Sequence, residues 1–220
     1  MERKVVTRAP HREVGVINPA WLLDHAVEHE SHLEKRFIMA ALACPVVVDI
    51  VHQPLHIWLS PNETEKYTPD FGIGFRDRDT VLVEVKPEVF LAKHAEKLRA
   101  AAQHFKSQGK KFLVLTDKHI DANGLGTRAI LLMRYGRVNF SEQQALDCLA
   151  LLKNECHGEA KVKDLVELGV SEALIWNMVA KHRFRVPVGL NISPEESVSI
   201  NGAEGDCCDY FHTWFGAAQG

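Results

Sequence analysis

Between Phe71 and Pro87 the sequence reads as two strands joined by a turn, and the second strand carries charge where an apolar strand least tolerates it. Phe71–Phe75 alternates large apolar residues with glycine, Arg76–Asp79 is a charged turn, and Thr80–Val85 is a β-branched run stopped by Pro87. Alternate residues of a strand share a face, so Glu84 and Lys86 point one way while Val83 and Val85 point into a core. Burying such charges is costly unless they are paired or bind a metal. Asp70 lies fourteen residues before Glu84, where the first strand begins, and can come within a cation's reach of it.

The flanking segments predict a layered α/β unit. Leu23, Val27, Leu33, Phe37 and Leu42 recur at helical spacing, which predicts a helix from about Ala20 to Leu42, ended by Pro45. Val46–Ile50 and His56–Ser60 read as strands, with a turn at 61–63. Leu91–Phe105 predicts an amphipathic helix closed by Gly109, and Lys111–Thr116 a further strand. A second unit begins near Ser141. Helices are expected over Ser141–Leu152, Lys161–Leu168 and Ser171–Lys181, followed by a strand over Phe184–Val188. Three short helices and a strand outline a winged-helix-like unit, although a small protein-binding bundle has the same outline.

Asp70, Glu84 and Lys86 suit divalent-metal chemistry of the PD-(D/E)xK type. Carboxylate oxygens are the ligands that Mg²⁺ or Mn²⁺ prefers, and the backbone carbonyl of Val85 is a plausible additional one. Such an ion polarises a phosphodiester and lowers the pKa of the attacking water. Lys86 would hold or deprotonate that water and offset charge in the transition state. A surface hairpin with an ordinary salt bridge would show the same three residue types. Glu34 is a fourth candidate with two readings, since Ser31-His32-Leu33-Glu34 also fits a capping box.

Other groups carry less. His25, His29 and His32 would line one face of the expected helix as zinc ligands or as a solvated stripe. Cys207-Cys208 with His212 is too isolated for a zinc site. Lys181, Arg183 and Arg185 would touch phosphate or neutralise a helix end. Tyr210, Phe211, Trp214 and Phe215 lie in an acidic, glycine-rich tail and suggest either a hook for a protein partner or a segment folded back on its own domain.

The order of motifs resembles the TnsA family, the endonuclease subunits of heteromeric, Tn7-like bacterial transposons. Ser31-His32-Leu33-Glu34 with Phe37 resembles the family's Glu-bearing helix, Asp70-Phe71 its second acid, and Val83-Glu84-Val85-Lys86-Pro87 its Val-Lys-Pro strand. Glu96-Lys97-Leu98 and Phe112–Ile120, with Thr116-Asp117-Lys118, resemble the helix and strand that follow. The resemblance implies a restriction-endonuclease-like catalytic domain over 1–138, a helical winged-helix-like domain over 139–200 and an acidic aromatic tail over 201–220. It implies Glu34, Asp70, Glu84 and Lys86 as catalytic residues, with Glu34, Asp70, Glu84 and Val85 at a Mg²⁺ or Mn²⁺ ion. It also implies double-stranded transposon-end DNA as substrate, cut at the 5′ ends beside a TnsB-like transposase and a TnsC-like ATPase. A stand-alone nuclease of the same superfamily and a binding adaptor with a vestigial centre are the alternatives.

Charge distribution agrees with a polyanionic substrate for the middle of the chain. From Lys86 to Lys118 eight basic residues face three acidic ones, Met1–Arg12 holds Arg3, Lys4, Arg8 and Arg12, and no Lys or Arg follows Arg185. Five cysteines without regular spacing predict a reducing, cytoplasmic setting. Met1–Pro10 lacks the apolar stretch of a secretory signal, and no run is long enough to cross a bilayer.

Overall fold

The computed structural model describes residues 14–60, 62, 64–200 and 205–217. The basic run Met1–Arg12 and the ends of the 61–63 turn lie outside these residues. The chain opens with β1 (Gly15–Ile17) and β2 (Val27–His29), followed by α1 (His32–Leu42) and β3 (Val47–His52). Then come β4 (Ile57–Trp58), β5 (Lys66–Tyr67), β6 (Phe71–Phe75), β7 (Thr80–Val85), α2 (Leu91–Ser107) and β8 (Lys111–Leu115). The remainder is α3 (Asp117–Ile120), α4 (Leu125–Gly136), α5 (Glu142–Asn154), β9 (Glu159–Lys161), α6 (Val162–Glu167), α7 (Glu172–Ala180), β10 (Phe184–Arg185), β11 (Ser197–Ile200) and α8 (Cys207–Trp214).

The central sheet has the order β3-β6-β7-β8. The first three strands are antiparallel, and β8 joins parallel to β7 through the crossover helix α2. Because helices cover both faces, β7 is buried at five consecutive positions, Val81–Val85. Val81, Val83 and Val85 join the larger core with Phe71, Ile73 and the α1 residues Phe37 and Ile38. Leu82 packs in a smaller cluster with Tyr67 and the α2 residues Leu98, Ala101 and Phe105. The expected hairpin, α2 and β8 are all present near their predicted bounds.

The helix expected from Ala20 is shorter than its apolar pattern suggested. Ser31 is extended at φ −153°, and its hydroxyl accepts the Glu34 N–H at 3.1 Å, which starts α1 at His32. Val27 is buried as a strand residue, in a hairpin where Ile17 faces Val27. A glycine at position 15 gives His29 its room, since a Cβ there would stand 2.7 Å from His29 Nε2. Helix α4 is not among the expected elements, yet it buries Leu125, Ala129, Leu132 and Met133 against the rest of the core.

The C-terminal half holds the three expected helices, with Ser141 and Ser171 as N-caps of α5 and α7. It also holds a three-stranded antiparallel sheet, order β10-β11-β9, of which only β10 was expected. The large core is continuous through both halves of the chain. The aromatic tail is not a free hook: it forms α8 and folds back. Phe211 and Phe215 are fully buried, with Phe215 5.7 Å from Phe37 and Phe211 5.3 Å from Phe75. Trp214 Nε1 donates to the Ala40 carbonyl at 3.0 Å. Burying these rings against α1 removes far more apolar surface from water than a tethered segment could.

Candidate active site

Two pairings bring the acids together. Phe71 faces Val83 across the β6–β7 hairpin, so one step further Asp70 faces Glu84. Asp70 Oδ2 accepts the Val85 N–H at 2.8 Å, which fixes its carboxylate against the end of β7. Glu84 is only 5% exposed. Its two oxygens are held separately: Tyr67 donates its hydroxyl to Oε2 at 2.7 Å, and Lys86 Nζ lies 2.8 Å from Oε1. Tyr67 reaches Glu84 because the short β4–β5 hairpin lays β5 beside the sheet. These groups open into a cavity of about 270 Å³, lined also by Lys66, Thr68, His94, Lys97 and Leu98.

The charges are in tension. Burial and the neighbouring Glu84 push Asp70 up to about 8, against the Val85 hydrogen bond and the Lys86 charge, which pull it down. Burial works against a charged Lys86, but its bond to Glu84 and the charges of Asp70 and Glu34 outweigh that, so its pKa rises. Burial and the Glu84 charge keep the Tyr67 phenol protonated. Ionising both carboxylates beside one ammonium would leave the buried site with an excess of negative charge, which is why Asp70 is pushed up and which a divalent cation would relieve.

Residues 44–117 match the family model for the N-terminal domain of TnsA-like endonucleases. This segment is a TnsA-like endonuclease domain. It spans β3 to the start of α3 and contains Asp70, Glu84 and Lys86, while Glu34 lies before it. No curated protein matches the chain. Among the described residues no helix is long and apolar enough to cross a membrane.

Glu34 lies outside the cavity lining but close enough for its charge to act on this cluster. Its Oε2 accepts the Glu30 N–H at 2.6 Å, and its Oε1 accepts the Ser31 hydroxyl at 3.0 Å. Ser31 therefore caps α1 as the sequence predicts, but Glu34 reaches the N–H of Glu30 and the Ser31 hydroxyl rather than the Ser31 N–H that a capping box would use. The Glu34 charge nonetheless bears on Asp70 and Lys86, and on His52, whose pKa burial lowers against it. The N-terminus of α1 thus aims an acid toward the same end of the sheet.

The remaining candidates fall elsewhere. His25 bonds Asp49 at 2.8 Å, His29 is buried in the β1–β2 hairpin and His32 opens α1, so the three share no helix face. Cys208 Sγ lies 3.6 Å from His212 Nε2, and Asp79, Asp206 and Cys208 bring ligand atoms within 4.8 Å of one another. The Lys111 ammonium already serves that cluster, 2.6 Å from Asp79 and 3.6 Å from Asp206. In the basic strip, Arg183 pairs with Glu142 at 2.9 Å and Arg185 stacks over Tyr210 at 4.1 Å. Tyr67, Lys66, His94 and Lys97 were missed. The pattern Leu91, Ala95, Leu98 told which side of α2 is apolar, but not that its margin overlooks Glu84.

Proposed function

We propose that this TnsA-like endonuclease is a metal-dependent DNA nuclease that cuts the 5′ ends of a transposon. It would work beside a TnsB-like transposase that cuts the 3′ ends and a TnsC-like ATPase. The observation that carries this reading is the meeting of Asp70, Glu84 and Lys86 on one buried strand face that opens into a single cavity. On this reading the sheet with α1 and α2 is a restriction-endonuclease-like domain. The helices α5–α7 with β9–β11 form the winged-helix-like unit that follows it.

Asp70 and Glu84 would hold a Mg²⁺ or Mn²⁺ ion, with the Val85 carbonyl and Glu34 completing the protein ligands. The donor set fits, because it is all oxygen and the two carboxylates share a partly enclosed site where ionising the second is costly unless a cation offsets it. When bound, the ion supplies polarisation of the phosphodiester and a more acidic water. Lys86 keeps its proton at neutral pH, since its pKa is raised, so it donates to water or phosphate and offsets transition-state charge rather than acting as a base. Tyr67 holds Glu84 in place from the opposite side. Lys66 and Lys97 on the cavity wall would meet neighbouring phosphates. Glu34 would have to give up a capping bond to serve as a ligand.

The test is strand-specific. The purified chain with its transposase and Mg²⁺ or Mn²⁺ should nick the 5′ ends of transposon DNA. Asp70→Ala and Lys86→Ala should abolish that cut and leave 3′ cleavage largely intact. If both variants cut 5′ ends as well as the parent, the assignment fails.

A further inference from the structure

Immediately after Lys86 the chain makes an apolar tip. Val89 is 79% exposed and Phe90 50% exposed, although large apolar side chains are normally withdrawn from water. The tip is not slack. Phe90 N–H donates to the Pro87 carbonyl at 2.9 Å, and Glu88 N–H donates to Asp117 Oδ1 at 2.7 Å. Lys118 pairs with Glu88 at 3.2 Å, so Glu88 is tied to the segment after β8 by both its backbone and its side chain. Holding two apolar side chains outward on a braced turn demands a use.

Position supplies one. Phe90 has helical backbone angles and opens α2, so Phe90, His94 and Lys97, at i, i+4 and i+7, lie on one stripe. His94 and Lys97 line the cavity that holds Asp70, Glu84 and Lys86. Phe90 lies one turn before His94, just outside the residues that line the cavity, on the side where α2 begins. Lys93 follows Phe90 by three residues on α2, Lys97 follows by seven and pairs with Glu65, and Lys118 offsets Glu88 beside the tip. An apolar point with lysines on the helix behind it matches a duplex, whose phosphates lie outside and whose stackable bases lie within.

We propose that Val89 and Phe90 form a wedge that enters DNA beside the cut site and unstacks a base step, letting the scissile phosphate turn into the cavity. The proposal rests on the nuclease reading above. Its test compares two substrates: a transposon-end duplex, and the same duplex carrying a mismatch at the cleaved step. The full chain with its transposase, Phe90→Ala and Phe90→Trp are each assayed for 5′ cutting, and permanganate reactivity of thymines is mapped in Ca²⁺. Phe90→Ala should cut the paired duplex at least about 10-fold more slowly than the parent, from the loss of one base–aromatic stack. That deficit should shrink severalfold on the mismatch, and the thymine reactivity near the cut should fall. Phe90→Trp should restore both. An equal deficit on both substrates, or none on either, overturns the wedge. So does loss of binding to the transposase with thymine reactivity unchanged, which would make the tip a protein contact. A parent protein that cuts neither substrate overturns the nuclease reading itself, and the wedge with it.

Discussion

On one face of β7, Val81, Val83 and Val85 close against Phe71, Ile73 and α1; on the other, Leu82 is followed by Glu84 and then Lys86 beneath α2. Both faces are covered, yet only one is filled. Branched side chains on the first face are buried in the large core. On the second, Tyr67 and the margin of α2 approach Glu84 but leave a cavity of about 270 Å³. There the acids are held by hydrogen bonds and the Lys86 ion pair rather than by packing. The difference separates stability from chemistry along one strand: a change on the first face should cost folding, and a change on the second should cost reaction.

Asp70→Asn gives the sharpest separation. Asparagine can still accept the Val85 N–H, so thermal stability without metal should not fall, while cleavage should drop by at least about 10³-fold. A matched loss of stability and activity would break the comparison. Ile73→Ala on the packed face should show the reverse, losing about 2–5 kcal/mol in denaturant melts while cleavage per folded molecule stays near the parent's. Glu34→Gln keeps a residue that can cap α1, so unfolding should be unchanged. If Glu34 is a ligand, cleavage should fall roughly 100-fold, and parental activity would leave it a cap only.

Tyr67→Phe leaves one Glu84 oxygen without its donor and should slow cleavage about 10-fold, with a stability loss of about 1–2 kcal/mol in the same melts. The last effect concerns pH. Asp70 is raised from the ordinary carboxylate range to about 8, so between about pH 4 and 8 the folded protein binds more protons than the unfolded chain. Stability of the metal-free protein should therefore decline as pH rises through that window, read as a falling Tm. Mn²⁺ should reverse the decline most strongly at the upper end, and Asp70→Asn should flatten it. A metal-free Tm that climbs from pH 5 to 8 would contradict the charge tension described for this face.

Much of the second face was legible in the sequence because strand alternation is local. Glu84 and Lys86 had to share a side, and Asp70 had to sit near the mouth of the hairpin. The first helix was misjudged for the opposite reason. Leu23 and Val27 fit a helical period but are buried by a turn and a hairpin, and spacing alone cannot distinguish these. The histidines at 25, 29 and 32 fell with that helix. The second sheet was half-seen, because β9 and β11 are short and take their strand character from each other. The tail was open between two readings, and only contact with Phe37 and Phe75 decided it.

The sequence by itself determined the chemistry available: two carboxylates and a lysine on a strand ended by proline, a basic helix after it, and the motif order of a TnsA-like endonuclease. Tertiary structure alone decided how those groups are poised. Tyr67 meets Glu84 across seventeen residues, Asp70 is pushed upward by burial beside that acid, and Phe90 is left half-exposed at the start of α2. The reason is physical. Residue type and alternation are properties of a short stretch of chain, whereas desolvation, cross-strand hydrogen bonds and exposure depend on which distant segments close over it.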